Sequence, residues 1–170
     1  MLKADVVHGF DEPLVKDIVL INRDSFPSEW EYSDAEEYYK EKLKNADNIH
    51  IILSEKDERV GYLLAIPHNE AVQELHADDL LMKEDPFRYY IETVCILPLF
   101  RGQKGFSVIL KILSDELKRR GIANLSMHAR VSNHFSKIIQ KKMKITQIRT
   151  VERWKYYNYG ESADYIEATL

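Results

Sequence analysis

The residue pattern with the clearest chemical consequence is a glycine-containing turn between an apolar strand and an amphipathic helix, within residues 91–107. Gly102 and Gly105 are the only two of the six glycines that lie within a few residues of each other. A backbone without side chains can approach a ligand closely, and the N–H groups at the start of a helix attract anions. The turn therefore predicts a phosphate-binding loop.

Two well-known nucleotide-binding loops are absent from the sequence. Neither G-x-x-x-x-G-K-[ST] nor G-x-G-x-x-G occurs anywhere in the chain, so a nucleoside triphosphate or NAD is not favoured. A strand-to-helix turn with a glycine is also common in α/β proteins that bind no phosphate. Further evidence must therefore come from the residues around the turn.

Residues 94–107 resemble the acyl-coenzyme-A signature of the GNAT superfamily of N-acetyltransferases, which typically reads V-x-P-x-Y-R-G-x-G-x-G. Five positions match in place: Ile96, Pro98, Phe100, Arg101 and Gly102. The sequence departs from the signature in two ways. Gln103 and Lys104 occupy the space of a single residue, and Ser107 stands where a second Gly or Ala is usual. We interpret this as one extra residue in the loop.

The resemblance implies acetyl-coenzyme A as co-substrate, with its pyrophosphate on residues 101–107. A second family pattern, N-x-x-A-x-x-L-Y, is matched in part by residues 133–140, where Gln140 replaces the tyrosine that often protonates the leaving thiolate. An amide cannot donate a proton to sulfur at neutral pH. The candidate cofactor-binding residues are Cys95, Ile96, Leu97, Arg101, Gly102, Gln103, Lys104, Gly105, Phe106, Ser107, Asn133 and Ser136. Gly105→Val is expected to crowd the phosphate and leave the fold largely intact.

Direct transfer of an acyl group from a thioester to an amine requires positioning, a polarised carbonyl and removal of a proton. By the family resemblance, the backbone N–H of Cys95 or Ile96 is expected to polarise the thioester carbonyl. Glu92, four residues before Ile96, is the first candidate for the base, although it could equally be a solvated strand residue. The candidates for the acid that protonates the sulfur are tyrosines in the loop after a terminal strand, Tyr157 first and then Tyr156 and Tyr159. These residues could also be ordinary surface or core aromatics.

Composition limits the class of protein. A chain of 170 residues suits one domain, and we expect residues 1–170 to form a single N-acetyltransferase domain. A content of 45% hydrophobic and 31% charged residues is typical of a soluble globular protein. No apolar run suggests a membrane span or a signal peptide, so we expect a cytoplasmic protein without a membrane partner. The net charge of −4 argues against nucleic acid, and the single cysteine excludes an intrachain disulfide.

Hydrophobic periodicity predicts alternating strands and helices. Strands are expected at residues 4–10, 49–53, 60–66, 89–97, 124–129, 145–154 and 165–169. Helices are expected from Asp11 to about Ser25, from a capping box at Ser33 to Lys44, from Phe106 to Arg120, and from Asn133 to about Lys142. The order indicates a mixed α/β fold. By the resemblance, it is an acyl-coenzyme-A N-acyltransferase fold, a mostly antiparallel central sheet with a splayed parallel pair and helices on both faces.

The acceptor is less well defined. In the family, the acceptor cleft is built from segments that correspond to residues 27–32, 68–88 and 156–164. The middle segment is rich in acidic residues, which would suit a cationic small molecule or a peptide amine, and would equally suit plain solubility. His128 and His134 lack a third ligand, so no metal is expected. A homodimer through the terminal strands remains open. The alternative function is a catalytically silent acyl-coenzyme-A-binding or protein-interaction module.

Overall fold

The computed structural model describes residues 1–31, 33–154 and 160–170. Within these residues the chain forms seven strands and five α-helices. The strands are β1 (Leu2–Val7), β2 (Ile49–Glu55), β3 (Glu58–Pro67), β4 (Arg88–Ile96), β5 (Asn124–Arg130), β6 (Lys144–Trp154) and β7 (Glu161–Thr169). The helices are α1 (Glu12–Ser25), α2 (Ala35–Lys44), α3 (His68–Leu75), α4 (Gly105–Arg119) and α5 (Phe135–Lys142).

The strand order in the sheet is β1-β2-β3-β4-β5-β7-β6. The pairs β1–β2, β2–β3, β5–β7 and β6–β7 are antiparallel. β4 and β5 are parallel and are paired from Arg88 opposite Asn124 to Ile91 opposite Met127. This confirms the mixed α/β fold with a mostly antiparallel sheet and one parallel pair.

The described residues pack as two compact units. The first comprises residues 1–65 and 93–116, and the second comprises residues 66–92 and 117–170. The single domain expected from the chain length stays a prediction. No described helix is both long and apolar enough to cross a bilayer.

In the first unit, α1 and α2 form because their apolar residues recur at helical spacing and their ends carry suitable residues. The side chain of Asp11 accepts a hydrogen bond from the Leu14 N–H at 3.2 Å, and a proline lies in the first turn of α1. The buried hydrophobic residues of the two helices are Leu14, Val15, Ile18, Ile21, Tyr39 and Leu43. Strands β2 and β3 are almost continuously buried, which explains their long apolar runs.

A buried histidine joins α2 to the sheet in this unit. His50 on β2 lies 3.0 Å from the Lys42 carbonyl through Nε2 and 2.7 Å from the Tyr62 hydroxyl through Nδ1. Because a carbonyl only accepts, Nε2 carries the proton, and Tyr62 donates to Nδ1. The neutral imidazole ring therefore donates a hydrogen bond to a carbonyl group in the last turn of α2.

The second unit contains the antiparallel strands β5 and β7 and the helix α3. Leu125, Met127, Ala129, Ile166 and Ala168 are buried on the strands. At the start of α3, His68 is bonded to the Ser126 hydroxyl at 2.7 Å and to the Lys83 carbonyl at 2.9 Å. β6 is exposed along most of its length, as expected for a strand at the edge of the sheet.

Three local expectations are corrected. β1 is Leu2–Val7 and ends before Phe10, because a turn with Gly9 at φ +76° follows it. α2 begins after Asp34, whose carbonyl accepts from the Tyr38 N–H, so Ser33 is not the N-cap of a capping box. α3 was missed because its apolar residues, Ala71, Val72 and Leu75, span only two turns within an acidic segment.

The buried position of His50 predicts a pH-dependent stability. Burial lowers the pKa of His50 from 6.5 to about 4, so the unfolded chain binds one more proton between these values. The free energy of unfolding should therefore fall as the pH drops from 6.5 to 4, by up to about 1.4 kcal/mol per pH unit from this residue. Urea denaturation across this range should show a shallower slope for His50→Gln. His76→Gln, at an exposed histidine, is the control and should keep the parental slope; equal slopes in all three proteins would contradict the assignment.

Candidate active site

β4 presents its residues alternately to two faces of the sheet. Tyr89, Ile91, Thr93 and Cys95 are buried on one face, and Tyr90, Glu92, Val94 and Ile96 lie on the other. The β-branched and aromatic residues of this segment favour the extended conformation. The strand therefore separates a packing face from the face that carries Glu92.

Cys95 belongs to the packing face. Its Sγ lies 3.7 Å from the Tyr62 carbonyl, and burial raises the pKa of the thiol to about 12. A thiol with such a pKa is not a nucleophile at neutral pH. Any contribution of Cys95 to the site must come from its backbone.

The loop after β4 is ordered by backbone hydrogen bonds. The Leu97 N–H donates to the Val60 carbonyl at 2.9 Å, which keeps the end of β4 against β3. A 3-10 turn at Pro98–Phe100 follows, and the Gln103 side chain donates to the Leu99 carbonyl at 3.0 Å. Gly102 and Lys104 have φ of +76° and +65°, and the first helical bond of α4 joins the Val108 N–H to the Lys104 carbonyl. The N–H groups of residues 105–107 thus precede the helical hydrogen-bond ladder.

The first turn of α4 lies directly on the sheet. A Cβ at Gly105 would meet Leu53 Cδ2 at 2.8 Å and Ile96 Cδ1 at 3.2 Å. A Cβ at Gly61 on β3 would meet the Cys95 carbonyl oxygen at 3.0 Å and Ile96 Cγ1 at 3.2 Å. Because these two positions are glycines, the start of α4 can lie close to β2 and β4, and β3 can lie close to β4. The Ile96 side chain takes part in both contacts.

The effect expected of Gly105→Val is therefore corrected, while a cofactor contact of Gly105 stays a prediction. The missing side chain faces apolar packing rather than a phosphate, so Gly105→Val would disturb the seating of α4 and would not leave the fold largely intact. Gly102 is the loop glycine whose conformation matters, because it is exposed and has a left-handed backbone with open space around it.

Arg101 has a structural role that the sequence does not reveal. Its Nε donates to the Ile96 carbonyl at 2.9 Å, and its Nη2 donates to the Ser25 carbonyl at 2.6 Å. The guanidinium thus links the end of β4 to the end of α1. Lys104, in contrast, is exposed on the loop.

Glu92 combines a half-buried position with a perturbed acidity. Both carboxylate oxygens are shielded from solvent, and burial raises the pKa of Glu92 to about 8. A carboxylate of this basicity can accept a proton from an amine near neutral pH far better than an ordinary glutamate can. Its role as the base stays a prediction.

The residues expected from the second family pattern have local partners within α5. Asn133, in the 3-10 turn before α5, accepts through Oδ1 from the Phe135 N–H at 2.9 Å. The Gln140 amide donates to the hydroxyl of the buried Ser136 at 3.1 Å. Cofactor contacts of Asn133 and Ser136 stay predictions. Tyr156, Tyr157 and Tyr159 lie outside the described residues.

Sequence reasoning missed one polar cluster in the second unit. Tyr90 on β4, His128 on β5 and Asp79, from the segment between α3 and β4, are joined by hydrogen bonds. The signal available in the sequence is weak, because 38 and 49 residues separate the bonded pairs. Among the described residues, no group of three or more histidine, cysteine or acidic side chains is arranged to hold a metal ion.

Residues 15–138 match the acetyltransferase (GNAT) family. The chain belongs to this family. The match confirms the resemblance seen in the sequence, and with it an acetyltransferase that uses acetyl-coenzyme A. None of the curated protein sequences matches the chain significantly.

Solved structures of three N-acetyltransferases share the fold. Ribosomal-protein-S18-alanine N-acetyltransferase from Escherichia coli is 16% identical with a TM-score of 0.65, over 100% of this chain and 93% of that chain. PaiA N-acetyltransferase from Thermoplasma acidophilum, in complex with coenzyme A, is 11% identical with a TM-score of 0.68, over 100% and 99%. A variant of the spermidine N-acetyltransferase SpeG from Vibrio cholerae is 11% identical with a TM-score of 0.67, over 99% and 93%.

The two hydrogen bonds of Arg101 predict a loss of stability when the side chain is truncated. Arg101→Ala should lower the free energy of unfolding by about 1–3 kcal/mol, since charged donors to carbonyl oxygens are lost. Urea denaturation without ligand measures the effect. Lys104→Gln removes a cation from the same loop and should change stability by less than about 0.5 kcal/mol. If the two variants were equally stable, the link between β4 and α1 would not hold the loop.

Proposed function

We propose that the protein transfers an acetyl group from acetyl-coenzyme A to a primary amine of a small molecule or a peptide, by direct attack in a ternary complex. The observation that carries the proposal is the strand, loop and helix start formed by residues 95–107 in a member of the GNAT family.

The shape of the loop suits a pyrophosphate. Residues 102 and 104 have left-handed backbones, a conformation in which successive N–H groups can face one anion, and α4 adds the positive end of its dipole. The backbone of Gly102, Gln103, Lys104, Gly105, Phe106 and Ser107 would hold the phosphates, and the backbone of Cys95, Ile96 and Leu97 would hold the pantetheine arm. When bound, acetyl-coenzyme A supplies an activated acetyl thioester.

The protein's own residues then perform two tasks. The N–H of Cys95 or Ile96 donates to the thioester carbonyl, which stabilises the charge that develops on its oxygen. Glu92 takes the proton from the attacking amine. Because its pKa is about 8, the fraction of Glu92 in the carboxylate form rises as the pH passes from 7 to 9. Tyr157 is the acid proposed for the sulfur.

The acceptor is proposed from the named neighbours and from charge. The E. coli and V. cholerae enzymes are named for a protein alanine and for spermidine, which both present amines. Two carboxylates of residues 68–88 are used internally, since Asp79 pairs with Arg149 and Asp85 pairs with Arg88. Glu84 is exposed and suits a cationic acceptor. The proposal also includes a cytoplasmic location, no nucleic-acid or membrane partner, and a homodimer as an open option.

A catalytically silent binding module is the alternative, and one observation favours it. Gln140 occupies the position of the family tyrosine, and its amide is bonded to Ser136. An amide cannot protonate a leaving thiolate. A silent module would bind acetyl-coenzyme A and release no thiol.

Release of free thiol from acetyl-coenzyme A, followed with DTNB over a panel of amines, tests the proposal. The parent protein should release thiol above background with at least one amine, at a rate that rises as the pH increases through about 8. Glu92→Gln should lower turnover by about 10²–10⁴-fold, with unchanged affinity for acetyl-coenzyme A, because it loses the proton-accepting group.

Glu116→Gln is the matched control, since Glu116 is a buried glutamate of α4 without a proposed catalytic role. It should retain parental turnover. Binding without thiol release would favour the silent module. Turnover of Glu92→Gln within about twofold of the parent at every pH would assign the base to another group.

A further inference from the structure

The peptide group that joins Ile96 to Leu97 is held from both of its sides. The Leu97 N–H donates to the Val60 carbonyl of β3 at 2.9 Å, and the Ile96 carbonyl accepts from Arg101 Nε at 2.9 Å. This peptide bond is trans, so its N–H and its carbonyl point in opposite directions. The Ile96 carbonyl therefore points away from β3, and the guanidinium of Arg101 lies on that side of β4.

The same geometry fixes the directions of the preceding N–H groups. In an extended strand the N–H and the carbonyl of one residue point to the same side, which is why two paired residues can exchange both of their bonds. Ile96 is the last residue of β4, so its N–H points away from β3 together with its carbonyl. The Cys95 carbonyl must then point toward β3, and a Cβ at Gly61 on β3 would meet the Cys95 oxygen at 3.0 Å. The Cys95 N–H therefore faces β3 as well.

The two N–H groups proposed for the thioester carbonyl thus differ in access. The Cys95 N–H faces the neighbouring strand, whereas the Ile96 N–H faces the other side of β4. In the described part of the chain, the pairing of β4 with β5 ends earlier, at Ile91 opposite Met127. The bond from Arg101 to Ile96 is exposed, so a ligand can approach the strand from the side that the guanidinium occupies. This favours the Ile96 N–H as the donor.

Arg101 is also fixed from a second direction. Its Nη2 donates at 2.6 Å to the carbonyl of Ser25, the last residue of α1. A cation is favoured there, because the last carbonyl groups of a helix lack helical partners and carry the negative end of the dipole. The end of α1 is itself anchored, since Asn22 Nδ2 donates to the Tyr39 hydroxyl of α2 at 2.9 Å. The guanidinium therefore resists rotation of the Ile96 peptide group.

Arg101 connects this peptide group to the loop proposed to hold the pyrophosphate. Gly102, with φ of +76°, follows it directly in the chain. One side chain thus joins the phosphate-binding backbone to the N–H that faces the thioester. A donor that is already oriented costs no reorganisation when charge develops on the carbonyl oxygen, and a cation on the same side of the strand favours that charge.

We propose that Ile96 supplies the N–H that polarises the thioester carbonyl and that Arg101 is the positioning residue that holds this peptide group in place; the inference rests on the proposed function. The amine nitrogen forms a bond to the carbonyl carbon, and one electron pair of the C=O bond moves to the oxygen, where the Ile96 N–H donates. The pair returns as the C–S bond breaks. One proton leaves the amine nitrogen for the base, and one is taken up by the thiolate. Arg101 keeps its protons throughout.

Polarisation of the carbonyl can be measured without turnover. Infrared difference spectra of bound acetyl-coenzyme A, with and without ¹³C at the thioester carbonyl, give the stretching frequency of this bond. Binding to the parent protein should lower the frequency relative to free acetyl-coenzyme A, because the N–H weakens the C=O bond. Arg101→Ala, folded and saturated with ligand, should lose most of this shift.

Kinetics test the same variant against a matched control. Arg101→Ala should lower kcat by about 10- to 100-fold, because the donor is misplaced, and should change the Kd of acetyl-coenzyme A far less. Arg59→Ala is the control, since Arg59 on β3 also ties α1 to the sheet, through Asp17 at 2.6 Å, and has no proposed part in acyl transfer. It should keep the parental kcat and the parental carbonyl frequency.

Arg101→Lys is a second variant, for use if Arg101→Ala does not fold. Lysine keeps the positive charge but lacks the planar fork that reaches two carbonyl groups at once. Its kcat and its carbonyl frequency should both lie between those of the parent and those of free or unpolarised acetyl-coenzyme A.

The donor itself is tested by amide chemical shifts of the ¹⁵N-labelled protein in two complexes, one with acetyl-coenzyme A and one with coenzyme A. These ligands differ only in the acetyl group. The difference between the two complexes should therefore be larger at the Ile96 amide than at the Cys95 amide.

The outcomes separate this inference from the proposed function. A parental carbonyl frequency in the Arg101 variants would overturn the positioning role, whatever their kcat, and a larger difference at the Cys95 amide would overturn the donor; with either result, acetyl transfer by the parent would leave the proposed function standing. A parent that lowers the carbonyl frequency but transfers to no amine would overturn the proposed function. The roles of Ile96 and Arg101 in polarising the carbonyl would then stand, since neither spectrum depends on turnover.

Discussion

The first turn of α4 is held on the sheet at a distance that leaves no room for an added methyl group. Gly61 and Gly105 make this contact possible, and the Ile96 side chain lies against both of them. The same contact fixes the direction in which the N–H groups at the start of α4 point, since the helix cannot lift without losing apolar packing. The loop of residues 101–104 is then confined between two anchored ends. Anion binding at a helix start depends on such fixed N–H groups, because a mobile loop would lose entropy on binding.

Side chains around this loop support the backbone more than they meet a ligand. Arg101 bonds to two carbonyl oxygens, Gln103 closes the turn, and Cys95 packs as a buried thiol. We therefore propose that binding depends on backbone N–H groups and that proton transfer depends on Glu92, whose side chain lies on the face of β4 opposite Cys95.

Periodicity and motif were sufficient to predict most of the fold. The strongly amphipathic α1 and α4 and the apolar β2, β3 and β4 were predicted close to their observed bounds, because each is long enough for its pattern to be unambiguous. The short α3 is not predicted by its sequence pattern, and the predicted N-cap at Ser33 is wrong because Asp34 occupies that position. The family and the position of the glycine loop followed from residues 94–107. The direction in which Gly105 faces could not follow, since it depends on Leu53 and Ile96 from distant strands. The same holds for the partners of Arg101 and His128, which are remote in sequence.

The central claim, that backbone N–H groups after β4 bind the pyrophosphate of coenzyme A, is tested most directly by amide chemical shifts. The ¹⁵N-labelled protein is titrated with acetyl-coenzyme A and, as a comparison, with the pantetheine portion lacking phosphates. The account predicts that amides of residues 102–107 shift most with acetyl-coenzyme A and little with the phosphate-free fragment. Saturable binding that leaves these amides unshifted, with the largest shifts elsewhere in the chain, would contradict it.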